Sequence, residues 1–260
     1  MRHEITIKEP TKPIFNPFLC VTRRVVVKQK CNFAKCNIKI KKTKGKNMNK
    51  EERLNKLKEM RASQQDFPII RENTEVLLTK VVETKKPMLI LELGTGKGYS
   101  GSVMLTAHDG AGLVTIERDT DNYHEAVTSF ANLEFFERII PINATAEEVV
   151  DKMHDALHLE DGKGAQGQQF DLIFLDCNKS SYNKMIDKLI DLLAPEGVLF
   201  VDNVLYHGMV NNGEYPKHKH RTIVLSLREF IEKCKNDNRL ENVALYEFDD
   251  GALVATKKAN

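Results

Sequence analysis

The sequence predicts an α/β fold on a mainly parallel sheet, and three observations carry that prediction. Short apolar runs bounded by Pro, Gly or polar residues alternate with segments of helical spacing. Three of these runs, residues 113–117, 170–176 and 198–202, end in an acid, at Glu117, Asp176 and Asp202. The first run, residues 88–93, passes directly into a glycine loop, Gly94-Thr95-Gly96-Lys97-Gly98, and then into helical spacing at Val103, Met104 and Ala107. Strand, glycine loop and helix make the opening unit of a nucleotide-type site, where exposed helix N–H groups face the ligand.

The remaining elements follow in order. Leu54, Leu57 and Met60 recur at helical spacing, so residues 51–65 are expected to form a helix that Pro68 ends. A second helix is expected over 72–82. After the first strand and its helix come a strand at 113–117, a helix at 119–133, a strand at 138–142 and a helix at 145–157. Residues 160–169 are rich in Gly and Gln and hold no core residue, which marks a surface loop. The strand at 170–176 is followed by a helix over 180–193, a turn at 194–197 and a strand at 198–202. Residues 206–218 form a long polar loop before a helix at 221–235. Strands at 242–248 and 252–257, joined by Asp249-Asp250-Gly251, close the chain as a hairpin. Five β/α units and a hairpin give a mainly parallel sheet with one antiparallel edge.

Composition limits the function classes. At 260 residues with 41% hydrophobic and 29% charged residues, the chain is expected to hold one large globular domain. No run of eighteen apolar residues predicts a membrane span, and no membrane partner is expected. The net charge of +2 conceals an asymmetry: residues 1–50 carry 14 Lys+Arg against 2 Asp+Glu, and the rest of the chain carries 25 against 35. Residues 1–47 lack amphipathic periodicity and are expected to be a disordered basic extension. They read as an organelle-targeting segment, as a nucleic-acid-binding arm, or as sequence upstream of a start at Met48; residues 48–260 are the expected domain. Five cysteines with no CxxC pair suit a reducing, cytoplasmic compartment.

The glycine loop does not identify its ligand. Gly96, Gly98 and Gly101 satisfy GxGxxG, and Glu117 lies about twenty residues on, so a nicotinamide dehydrogenase stays open at this point. The later strand ends discriminate. Asp176 and Asp202 each close a strand, and Asn203 follows, giving two carboxylates and an amide oxygen suited to a hard divalent cation such as Mg²⁺. Strand-end acids also serve as helix caps. Lys179 stands three residues beyond Asp176. A cation nearby disfavours an ammonium, which makes such a lysine a candidate base. A non-catalytic binding module has no need of all four groups.

The ordered set ELGTGKGYS, TIERD, FDLIFLDCNKSSY, VDNVLYHG, HRTIVLSLREF and DDGALVA resembles the cation-dependent class I O-methyltransferases of the caffeoyl-CoA and catechol type. The resemblance covers residues 51–260 and is strongest to the bacterial branch that includes tRNA 5-hydroxyuridine methyltransferases. It implies a Rossmann-like fold with a seven-stranded, mostly parallel sheet, one antiparallel strand and helices on both faces. It further implies S-adenosylmethionine as cofactor. By matching position, Gly94 and Ser100 lie at its amino-acid moiety with Glu92 also among the cofactor-binding residues. Glu117 holds the ribose, Asn143 and Ala144 flank the adenine, and Ile70 contributes from an N-terminal lid. Asp176, Asp202 and Asn203 match the metal ligands, Asp176 doubling as a cofactor and catalytic residue, and Lys179 matches the base. The resemblance also implies a homodimer. Asn143 replaces the family's usual Asp, and Cys177 and Asn178 replace small residues. The acceptor is either tRNA, met by the basic run Lys217, His218, Lys219, His220 and Arg221, or a small hydroxylated molecule.

Overall fold

In the computed structural model, residues 48–157 and 169–259 are described. The expectations for residues 1–47 and for most of the loop at 160–169 lie outside them. Helix α1 (Lys50–Ser63) begins at a capping box. The Asn49 side chain accepts from Glu52 N at 2.9 Å, and the Glu52 carboxylate accepts from Asn49 N at 2.7 Å, satisfying two otherwise orphan donors. Helix α2 (Glu72–Lys85) ends at Lys86, whose left-handed backbone stops it three residues later than its apolar spacing suggests. Strand β1 (Leu89–Leu93), α3 (Tyr99–Ala107), β2 (Gly112–Glu117), α4 (Thr120–Asn132), β3 (Ile139–Asn143), α5 (Ala146–Leu157), β4 (Phe170–Leu175), α6 (Tyr182–Leu192), β5 (Leu193–Asp202), α7 (Arg221–Asn236), β6 (Leu240–Tyr246) and β7 (Ala252–Lys257) complete the chain.

The seven strands run in the order β3-β2-β1-β4-β5-β7-β6. The five strands from β3 to β5 are parallel, and β7 runs antiparallel to both β5 and β6. The single antiparallel strand therefore lies one place in from the edge, because the hairpin inserts its second strand against β5. Residues along each strand alternate between two cores. Leu89, Leu91 and Leu93 pack with α5, α6 and α7, and Ile90 packs with α1 to α4. Helices accordingly cover both faces, as a parallel sheet requires.

Other boundaries also differ from expectation. The turn at 194–197 is absorbed into β5 as an irregularity: Glu196 takes φ 61°, and the β4/β5 register shifts between Phe170 and Leu172. β6 begins at Leu240 and ends at Tyr246, with its own register shift between Glu241 and Ala244. The helix expected from residue 180 opens as a 3-10 turn over Lys179–Ser181, where the Asn178 side chain accepts from Ser180 N.

Candidate active site

Parallel strands end on one edge of the sheet, and the register places their last residues side by side. Glu117 pairs with Asn143, Leu93 with Ile116 and Leu175, and Leu175 with Val201. Reading across the edge gives Asn143, Glu117, Gly94, Asp176 and Asp202. The connections diverge between β1 and β4, which is where open α/β sheets form a ligand crevice. A cleft of about 1090 Å³ opens there, lined by the glycine loop, the residues after β4 and β5, and every residue from 64 to 72.

The glycine loop lies against the backbone that follows β4. Asp176 N donates to Leu93 O at 2.9 Å. Gly94 takes φ 101°, and a Cβ there would stand 2.1 Å from Asp176 O, so no side chain fits. Below the loop, Glu92 is fully buried and does not line the cleft. It faces α3, accepting from Ser100 Oγ at 2.6 Å and Thr115 Oγ1 at 2.5 Å. Burial pushes its carboxyl up to about 7, against the pull of those two hydroxyls. Glu92 therefore supports the loop from beneath instead of presenting an oxygen to a ligand.

Glu117 lines the cleft with both carboxylate oxygens engaged, Oε2 by Gly96 N and Oε1 by Asp119 N, each at 2.8 Å. Those bonds fix the carboxylate while leaving lone pairs for hydroxyl donors. Asn143 is turned onto the β2 end, donating from Nδ2 to Glu117 O at 2.8 Å, and only its neighbour Ala144 reaches the cleft lining. Ser100 and Ile70 line it as expected.

Asp176, Lys179 and Asn203 line the cleft, and Asp202, which is buried and outside that lining, directly precedes Asn203 in the chain. The Lys179 Nζ is 3.8 Å from Asp176 Oδ1 and donates to Asn203 Oδ1 at 3.4 Å. Asp202 Oδ1 accepts from Asn203 N at 2.8 Å and from Thr74 Oγ1 at 3.4 Å. Asp202 Oδ2 is buried and has no hydrogen-bond partner among the described residues. Burial raises both carboxyls above the ordinary range; Asp176 raises Asp202 further, and the Lys179 ammonium partly offsets the effect. Asn203 adopts left-handed backbone at φ 56°, and Tyr206 and His207 follow with positive φ as well. Such conformations in non-glycine residues concentrate at functional sites. The set fits a hard cation: two carboxylates and an amide oxygen converge, and one buried carboxylate oxygen lacks a partner. No group of three or more His, Cys, Asp or Glu suited to a metal occurs among the described residues, so a cation here would have to use this mixed set.

Several lining residues were not among the site residues expected from the sequence. Arg61 enters the cleft from the last turn of α1, Phe67 from the connection to α2, Tyr206 and His207 from the loop after β5, and Asp250 from the hairpin turn. The hairpin turn is locked to that loop: Leu205 N donates to Asp250 O at 2.8 Å, and a Cβ on Gly251 would stand 2.2 Å from Leu205 Cγ. None of Lys217, His218, Lys219, His220 and Arg221 lines the cleft itself, but the His220 ring packs against Tyr206, which does, at 5.8 Å between ring centroids.

The sequence matches the O-methyltransferase family over residues 42–258, more than four fifths of the chain. The chain belongs to the O-methyltransferase family. It is accordingly an enzyme of the S-adenosylmethionine-dependent O-methyltransferase class. It is 28% identical over 172 residues to caffeoyl-CoA O-methyltransferase 3 of Nicotiana tabacum, covering 64% of this chain and 65% of that one. It is 29% identical over 184 residues to catechol O-methyltransferase domain-containing protein 1 of Mus musculus, covering 69% and 63%. In fold it is similar to the O-methyltransferase TomG of Streptomyces achromogenes, with TM-score 0.64, 23% identity and coverage of 80% and 90%. These matches bear out the resemblance at the level of the caffeoyl-CoA-type O-methyltransferase family, and they set the dehydrogenase reading aside.

Proposed function

We propose that this chain transfers a methyl group from S-adenosylmethionine to a hydroxyl with a second oxygen beside it, using a divalent cation at Asp176, Asp202 and Asn203. The observation that carries the reading is the buried, unpartnered Asp202 Oδ2 beside Asn203 and Asp176, on the same sheet edge as the glycine loop. When bound, the donor would supply an electrophilic sulfonium methyl, and a hard cation would supply a positive charge that lowers the pKa of a nearby hydroxyl. Lys179, whose Nζ lies 3.8 Å from Asp176 Oδ1 and 3.4 Å from Asn203 Oδ1, would take the acceptor's proton as the free amine. Glu117, fixed by two backbone donors, accepts from ribose hydroxyls. Residues 64–72, with Ile70 buried, exclude water and orient the donor against the acceptor.

A small catechol-like or hydroxycinnamoyl acceptor suits the cleft best, because the basic run at 217–221 does not line it. The tobacco and mouse relatives carry caffeoyl-CoA and catechol in their names, which agrees with that class. A second reading, 5-hydroxyuridine in tRNA, draws support from Tyr215, which is 71% exposed with the Arg221 guanidinium 5.0 Å from its ring centroid beside Lys217 and Lys219. Methyl transfer to catechol and to tRNA containing 5-hydroxyuridine should be measured with Mg²⁺, with EDTA, and in Asp202→Asn. The expected result is transfer to catechol that EDTA abolishes and Asp202→Asn lowers by at least about 100-fold. Undiminished transfer in EDTA would sink the metal assignment, and transfer to tRNA alone would move the acceptor to the second reading.

A further inference from the structure

We propose that Arg61 is a positioning residue for the methyl donor: its guanidinium clamps residues 64–72 over the glycine loop. The inference rests on the reading of the cleft as the donor site. Nine consecutive residues, 64 to 72, line the cleft, yet they belong to the connection between α1 and α2 and to the first residue of α2, outside the sheet. A connection of this kind keeps one shape only where specific bonds hold it.

Arg61, in the last turn of α1, supplies those bonds in three directions. Nη2 donates to Ile70 O at 3.0 Å and to the Glu75 carboxylate, and Nε donates to Tyr99 Oη at 3.1 Å. Tyr99 Oη in turn donates to Glu75 Oε2 at 2.9 Å, and the guanidinium carbon lies 4.9 Å from the Tyr99 ring centroid. Tyr99 is buried and opens α3 immediately after the glycine loop, and Glu75 stands in the first turn of α2. One planar cation therefore joins the end of α1, the start of α2, the carbonyl of the buried Ile70 and the helix that the glycine loop feeds. A second contact closes the far side of the connection: Lys97 Nζ, within the loop, sits 4.8 Å from the Phe67 ring centroid.

A lysine at position 61 keeps the charge but cannot reach the Ile70 carbonyl, Glu75 and Tyr99 with one fixed fork. Arg61→Lys and Tyr99→Phe should be compared with the wild-type chain by calorimetry with S-adenosylhomocysteine and by hydrogen–deuterium exchange of residues 62–71 in the ligand-free protein. The expected result for Arg61→Lys is affinity weakened about tenfold or more, faster exchange confined to 62–71, and a KM for S-adenosylmethionine that rises more than kcat falls. Tyr99→Phe keeps the ring and removes one hydroxyl, so it should shift both readouts the same way by a smaller factor. It also carries the test if Arg61→Lys does not fold. Unchanged exchange at 62–71 in folded variants would overturn the clamp. Faster exchange with unchanged affinity would overturn its role toward the donor. A wild-type chain that does not bind S-adenosylhomocysteine would instead remove the donor reading itself, and exchange would still decide whether Arg61 holds the connection.

Discussion

Glu92→Gln makes a stringent test of the buried network beneath the glycine loop. The Glu92 carboxyl is fully buried, and burial moves it from its ordinary 4.5 to about 7. That displacement corresponds to about 3 kcal/mol, at about 1.4 kcal/mol per pKa unit. Below pH 4.5 the group is protonated in both the folded and unfolded chain and contributes no difference. Between pH 4.5 and 7 the unfolded chain releases the proton while the folded chain keeps it, so the wild-type fold loses stability as pH rises. Above pH 7 the loss is complete. Glutamine has the same shape, and the hydroxyls of Ser100 and Thr115 can rotate to meet an amide, with Thr95 in contact with Thr115 to continue the chain. Urea unfolding of both proteins from pH 4.5 to 8 should therefore show the variant gaining on the wild type, by about 3 kcal/mol at pH 8 relative to pH 4.5. Parallel profiles across the whole range would refute the buried, proton-retaining carboxyl.

Two further outcomes follow from the same edge of the sheet. Gly94→Ala places a Cβ 2.1 Å from Asp176 O on backbone at φ 101°; it should abolish measurable S-adenosylhomocysteine binding by calorimetry and lower stability by about 2 kcal/mol or more, and near-normal affinity would contradict the close approach of loop and Asp176. Lys179→Met should lower kcat about 100-fold to 10,000-fold with S-adenosylhomocysteine affinity within a few-fold of wild type, and a kcat within a few-fold would remove Lys179 from the role of base.

The strand-loop-helix unit at the start of the sheet was legible because a buried strand, three glycines and a helix repeat leave distinct local patterns. Asp176 and Asp202 were legible for a related reason, since each closes an apolar run, and Asn203 directly follows the second. Their role was not local. Glu92 shows the difference: it stands in the strand that enters the glycine loop, yet strand alternation turns it toward α3 and Ser100, below the cleft. Asn143 likewise follows an apolar strand, but its amide is spent on the β2 end.

Sequence alone determined the kind of sheet, the position of the glycine loop and the residues that close each strand, because periodicity and turn chemistry are properties of neighbouring residues. Tertiary structure alone decided which strand ends meet. The order β3-β2-β1-β4-β5 sets Gly94 beside Asp176, brings Lys179 to Asn203, and leaves Asp202 Oδ2 without a partner. It also decided that Arg61 and Phe67, which stand in no recognisable motif, border the cleft. Register and helix packing bring together groups more than a hundred residues apart, and no local pattern records such a meeting.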